Sequence, residues 1–182
     1  MDAYYQKLME QMLVSDNENT VCSPINLYIA FAMLAETSDG NTRQQILDML
    51  GAQDMDTLRK NISSLWKSNY ADTPALKSVL ANSLWLDGEE TYNDKTLQRL
   101  AEQYYASTFR GTPGSKEMDQ ALQTWTDNNT GGLLKEYTKD MAIAPDTVFE
   151  LVSTIYYKAM WRENFWEVDT EKETFHLSLI PI

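Results

Sequence analysis

Positive charge is scarce in this chain. Its 182 residues hold 15 Lys and Arg against 27 Asp and Glu, a formal charge of −12 at pH 7, and no run of basic residues occurs. Nucleic-acid partners, which need clustered cations to displace counterions from phosphate, are therefore not expected, and an anionic membrane surface is disfavoured for the same reason. Histidine is reduced to one. His176 lies in Thr174-Phe175-His176-Leu177, a strand-like position, so a hydrolytic triad has no base to use. The lone Cys22 can form no internal disulfide, and between Val21 and the helix start at Ser23 it reads as a small buried residue rather than a nucleophile. No CxxC, HExxH, GxGxxG or GxxxxGK pattern is present and the carboxylates are scattered, which leaves metal, dinucleotide and phosphate sites without support. Neither a cofactor nor an enzymatic activity is expected. No apolar stretch approaches the ~20 residues that cross a bilayer, the longest, from Ile25 to Ala35, being interrupted by Asn26 and Tyr28. The opening Met1-Asp2-Ala3-Tyr4 lacks the basic and apolar regions of a secretory signal, so the expectation is a cytosolic protein or one whose signal has been removed. The sequons at Asn61 and Asn128 read as chance occurrences.

What the chain does contain suits a packed core: 43% of residues are hydrophobic and 23% charged. The length fits one folding unit over residues 1–182, with no repeat or linker-like break. Tyr5, Leu8, Met9, Met12 and Leu13 recur at helical spacing and predict an amphipathic helix over 2–14, followed by a turn at Asp16 to Asn19. Ser23-Pro24 is a helix start, and the apolar residues from Ile25 to Leu34 predict a central, wrapped helix over 24–36 that Asp39-Gly40 closes. Thr42 and Gln45 are spaced as a capping box for a third helix ending at Gly51, and Leu58, Ile62, Leu65 and Trp66 mark a fourth over 57–69. The period then changes. Residues 77–86, KSVLANSLWL, are apolar on both faces and predict a strand covered on both sides. A helix over 94–106, a short strand at Thr108 to Arg110, a helix capped by Ser115 and stopped at 129–132, and a long strand over 148–157 complete the reading. The five tryptophans, one per element, are expected to fill the core.

The order of these elements and several local strings resemble the N-terminal half of a serpin. The strings are Ser23-Pro24-Ile25-Asn26-Leu27, Gly40-Asn41-Thr42, Ala81-Asn82-Ser83-Leu84-Trp85 and the run Trp125 to Leu134 through Asn128-Asn129-Thr130-Gly131-Gly132. A further one extends from Asp146 to Lys158, with Trp161, Phe165 and Phe175-His176-Leu177 beyond it. The resemblance implies an α+β fold in which helices pack on a mainly antiparallel central sheet. It also implies inhibition of serine or cysteine proteases: the target cleaves a reactive loop, which inserts as a new strand into the main sheet. Intact members run to about twice this length with the loop near their C-terminus, so no reactive-site residue can be named here. An extracellular setting is the family's commonest.

Residue by residue, Ser23 and Asn26 match the start of the family's central helix, part of a "shutter" under the opening gap, and Ser153 matches its partner on the third strand. Asn26 stands where the family has a second serine, and Ser153 where it has an asparagine. Either amide and hydroxyl have traded sides and keep one hydrogen-bonded network, or Asn26 faces solvent and Ser153 only packs. Trp161 matches the tryptophan at the top of the sheet where the loop enters, although Lys158-Ala159-Met160 and Asn164 depart from the family pattern. The helix over 57–69 corresponds to one that binds heparin in some serpins, but Arg59, Lys60 and Lys67 are too few on so acidic a chain, and no heparin binding is expected. Two functional readings stand. The chain is a portion of a longer inhibitor and inactive alone, or it is a shortened, non-inhibitory module that self-associates, or binds a C-terminal serpin fragment, through the open edge of its 148–157 strand.

Overall fold

A computed structural model describes residues 2–12, 22–163 and 166–172. Helix α1 spans Asp2–Met12, α2 Pro24–Thr37, α3 Gly40–Leu50 and α4 Met55–Asn69. After strands β1 (Ala71–Asp72) and β2 (Leu76–Asp87) come α5 (Asp94–Tyr104), β3 (Ala106–Gly111), α6 (Lys116–Asn129), the single turn α7 (Lys135–Thr138) and β4 (Phe149–Ala159). The caps follow side-chain chemistry. Ser23, Asp54, Asn93 and Ser115 each accept a bond from a free N–H of the helix they open, and Gly51 closes α3 in the left-handed conformation at φ 66°.

All four strands form one sheet around β2. β4 runs antiparallel along one side of β2 from Leu76↔Ala159 to Leu86↔Phe149. On the other side β3 lies parallel to the upper half of β2 and β1 antiparallel to its first residues. The two faces differ. Leu80, Leu84 and Leu86 of β2 and Leu151 of β4 join Tyr28, Ile29, Met33, Leu58, Ile62 and Leu100 in one large core under α2. On the opposite face Trp85 packs with Met118, Leu122 and Ile143 in a much smaller cluster under α6, with its ring stacked on Phe109 at 4.2 Å. Both faces of β2 are thus covered, as its continuous apolar run requires.

The structure moves several expected positions. The third helix begins at Gly40 rather than behind a Thr42 capping box, because the Asp39 carboxylate already holds the Gly40 N–H at 2.8 Å and Ser38 has ended α2. α5 stops at Tyr104, since Tyr105 turns into the left-handed region at φ 53° and starts the connection to β3. Cys22 is half-buried rather than buried. Of the tryptophans, Trp85 is fully buried, Trp66 and Trp125 are partly so, and Trp161 and Trp166 are exposed, lying past the end of β4 and beyond the helices that cover the sheet. The turn at Asp16–Asn19, Phe165, the strand position of His176 and the tail from Ser178 lie outside the described residues.

Candidate functional site

The site is the flank of the sheet where β4 meets the start of α2. Proline at the first helical position and Ser23 before it force the chain to enter α2 here, and Ser23 Oγ accepts the Asn26 N–H at 3.4 Å while its hydroxyl donates to Asn26 Oδ1 at 2.9 Å. Asn26 Nδ2 then donates to Ser153 Oγ on β4 at 3.0 Å, across 127 positions of sequence. The amide therefore lies against the sheet and not in solvent. Directly across the ladder, Ser153 faces Asn82 of β2, whose Nδ2 donates to the Tyr104 carbonyl at 2.8 Å. The Ser23–Asn26–Ser153 chain and the Asn82–Tyr104 bond lie side by side without a hydrogen bond between them, and Asn82 Oδ1 is buried without a partner.

Among the described residues β4 has a partner on one side, β2. Among the described residues no strand pairs with its outer edge, and Phe149, Ile155 and Tyr157, which alternate on the α2 face, are exposed. Along the eleven residues of β4 every second one points its backbone N–H and C=O away from β2, which makes this edge a template for another strand. On the opposite face the end of α6 rests on β4. An added Cβ at Gly131 would lie 2.6 Å from the Tyr156 ring at a backbone φ of 61°, so only glycine closes this contact. Two hydroxyls buried on that side, Thr126 of α6 and Thr154 of β4, have no hydrogen-bond partner. Glu150 shares the face, opposite Trp85, with neither an ion pair nor a hydrogen bond among the described residues, and burial raises its carboxyl above the ordinary range.

Farther along α2 a charged cluster ties three helices together. Glu36 is only 2% exposed. Arg59 of α4 grips it with both prongs, Nε to Oε2 at 2.9 Å and Nη2 to Oε1 at 2.8 Å, while Arg99 and the Tyr104 hydroxyl of α5 donate at 3.3 and 3.2 Å. Burial pushes the Glu36 carboxyl up, yet Arg59, with Tyr104 and Arg99, outweighs it and holds the group below its ordinary value. Sequence reasoning passed over this cluster. The available signal was a single acid within an otherwise apolar helix, which must find cations elsewhere in the chain.

With this sheet, its half-open flank and its helix order in place, comparison decides the family. The sequence profile "Serpin (serine protease inhibitor)" matches residues 2–179. The chain belongs to the serpin family. Serpin-ZX of Arabidopsis thaliana is 28% identical over 169 residues, covering 90% of this serpin and 43% of the relative, and antithrombin-III of Homo sapiens is 29% identical over 185 residues, covering 95% and 39%. This serpin thus spans about two fifths of the length of those relatives. The solved structure of Arabidopsis AtSerpin1 in its native stressed conformation superposes with a TM-score of 0.77 at 26% identity, over 96% of this serpin and 46% of that chain. The family is one of protease inhibitors rather than enzymes. In this serpin, Trp161 stands two residues beyond the end of β4 and is 75% exposed, away from the Ser23–Asn26–Ser153 cluster. On α4, Arg59 is occupied by Glu36 and Asp56, which leaves Lys60 and Lys67 as its exposed cations.

Proposed function

We propose that residues 1–182 act as one unit, the strand-receiving scaffold of a protease inhibitor, and that trapping a serine or cysteine protease requires strands and a reactive loop that these residues do not supply. The one-sided pairing of β4 carries this reading. Ser23, Asn26 and Ser153 form the latch beneath the strand that flanks the opening, and Trp161 marks the end at which an incoming strand enters. The acidic charge and the occupied Arg59 argue against heparin, nucleic acid and anionic membranes as partners. An extracellular setting is part of the proposal, as the commonest one in the family.

The test is incubation with trypsin-like and elastase-like proteases. The chain alone yields no SDS-stable covalent complex, whereas adding a C-terminal serpin fragment that completes the sheet restores one; a complex from the chain alone overturns the proposal. The exposed Ile155 and Tyr157 along the free edge favour a second activity, self-association by strand addition. Light scattering then finds dimers or larger species, and a strictly monomeric sample at high concentration removes that reading.

A further inference from the structure

A cavity of about 200 Å³ lies on the α2 side of the sheet, at the end of β4 opposite Trp161. Its floor is Leu84 and Leu86 of β2, both 1% exposed, with Phe149 closing one side and Leu97 of α5 another. No charged side chain lines it. Several polar groups at its walls are already committed: the Thr37 hydroxyl donates to Leu34 O at 3.0 Å, the Tyr92 hydroxyl to Val148 O at 2.5 Å, and Asn93 Oδ1 accepts from the N–H groups of Lys95 and Thr96. The hydroxyls of Thr91 and Thr96 and the Asn93 Nδ2 group make no hydrogen bond among the described residues. The space therefore combines an apolar floor with a short row of neutral, unengaged donors and acceptors at its mouth.

We propose that this cavity is a binding site for a neutral aromatic molecule of one or two rings with a single hydrogen-bonding substituent, the class of phenol and indole. The size fits, since an apolar cavity of ~150 Å³ already admits benzene. The Arg110 guanidinium lies over the outer Tyr92 ring, 5.1 Å from its centroid, and is not part of the lining, so within the cavity itself a carboxylate or ammonium ion finds no counter-charge to offset its desolvation. The polar substituent is held at the mouth by Asn93 Nδ2 and the Thr91 and Thr96 hydroxyls, the arrangement by which mostly apolar sites fix ligand orientation. Such a ligand touches Phe149, the first residue of β4, and so binds where that strand is anchored to α2 and α5.

The test uses the 182-residue chain with phenol and indole as probes, and benzoate and benzylammonium as charged counterparts, followed by protein NMR shifts and thermal midpoint. Phenol and indole should give saturable shifts at resonances of Leu84, Leu86 and Phe149 and raise the midpoint with concentration, as any ligand of the folded state does, while the charged pair does neither. Thr96→Phe, which fills the space, should weaken indole at least about tenfold with the circular dichroism spectrum retained. If that variant fails to fold, Thr91→Phe at the mouth decides by the same criterion. Absence of saturable binding, equal binding of benzoate, or unchanged indole affinity in a folded filled variant overturns the proposal.

Discussion

The two faces of the sheet are built to different standards. Under α2 the sheet meets a broad core, and the one buried acid there, Glu36, has every oxygen engaged by Arg59, Arg99 and Tyr104. Under α6 the apolar cluster is small and Glu150 stands on the sheet without a cation, while buried polar atoms without a partner occur on both sides, Thr126 and Thr154 here and Tyr4, Trp66 and Asn82 against the α2 core. The first face fixes β2 to three helices. The second covers β4, which among the described residues is paired along one edge, with a smaller apolar cluster. The difference that remains is charge: a buried carboxylate with its arginines ties the first face together, whereas the one acid on the second has no cation among the described residues.

The comparison breaks most sharply at Arg59. Arg59→Ala leaves a buried carboxylate with the more exposed Arg99 as its one cation and the Tyr104 hydroxyl as its other donor, and the expected loss is about 3 kcal/mol, or roughly 6–12 °C in thermal midpoint. The pH dependence carries a sign. Glu36 titrates lower when folded than when unfolded, so the unfolded chain binds more protons and this stabilisation, present at neutral pH, is lost as pH falls below the ordinary carboxylate value near 4.5. Asn26→Ala is the intermediate case. It removes two side-chain bonds at the boundary between α2 and β4, for a loss of about 1–2 kcal/mol by thermal or urea unfolding, and an unchanged midpoint would show that the latch contributes nothing. Glu150→Gln is the smallest and has the opposite sign. Because the folded pKa of Glu150 is raised, its ionisation costs stability as pH rises through the range just above 4.5, so the amide should raise the unfolding free energy at pH 7 by less than about 1 kcal/mol and leave it unchanged at pH 4. A drop at pH 7 would mean that the α6 face tolerates charge after all.

Much of the fold was legible because its signals are local. The apolar run of α2, the change of period at β2 and the β-rich run of β4 announce element types within a dozen residues. Competition between neighbouring caps was not legible: Thr42 and Gln45 satisfy a capping pattern, yet Asp39 lies three residues earlier and takes the helix end first. Trp161 and Trp166 share their chemistry with the buried Trp85, and only their place beyond β4 exposes them. At the site, resemblance pointed to Ser23, Asn26 and Ser153, whereas Asn82 and the Glu36 cluster gave no local pattern, their partners being 22, 23, 63 and 68 positions away.

Charge, element types and strand periodicity were therefore written in the order of residues, since each depends on a composition or a spacing shorter than one element, and the family in the order of those elements. Which of the two readings of Asn26 holds, which arginines neutralise Glu36, and which tryptophans are buried were settled by folding. Those outcomes depend on distances between segments far apart in the chain, and no local spacing encodes such a distance.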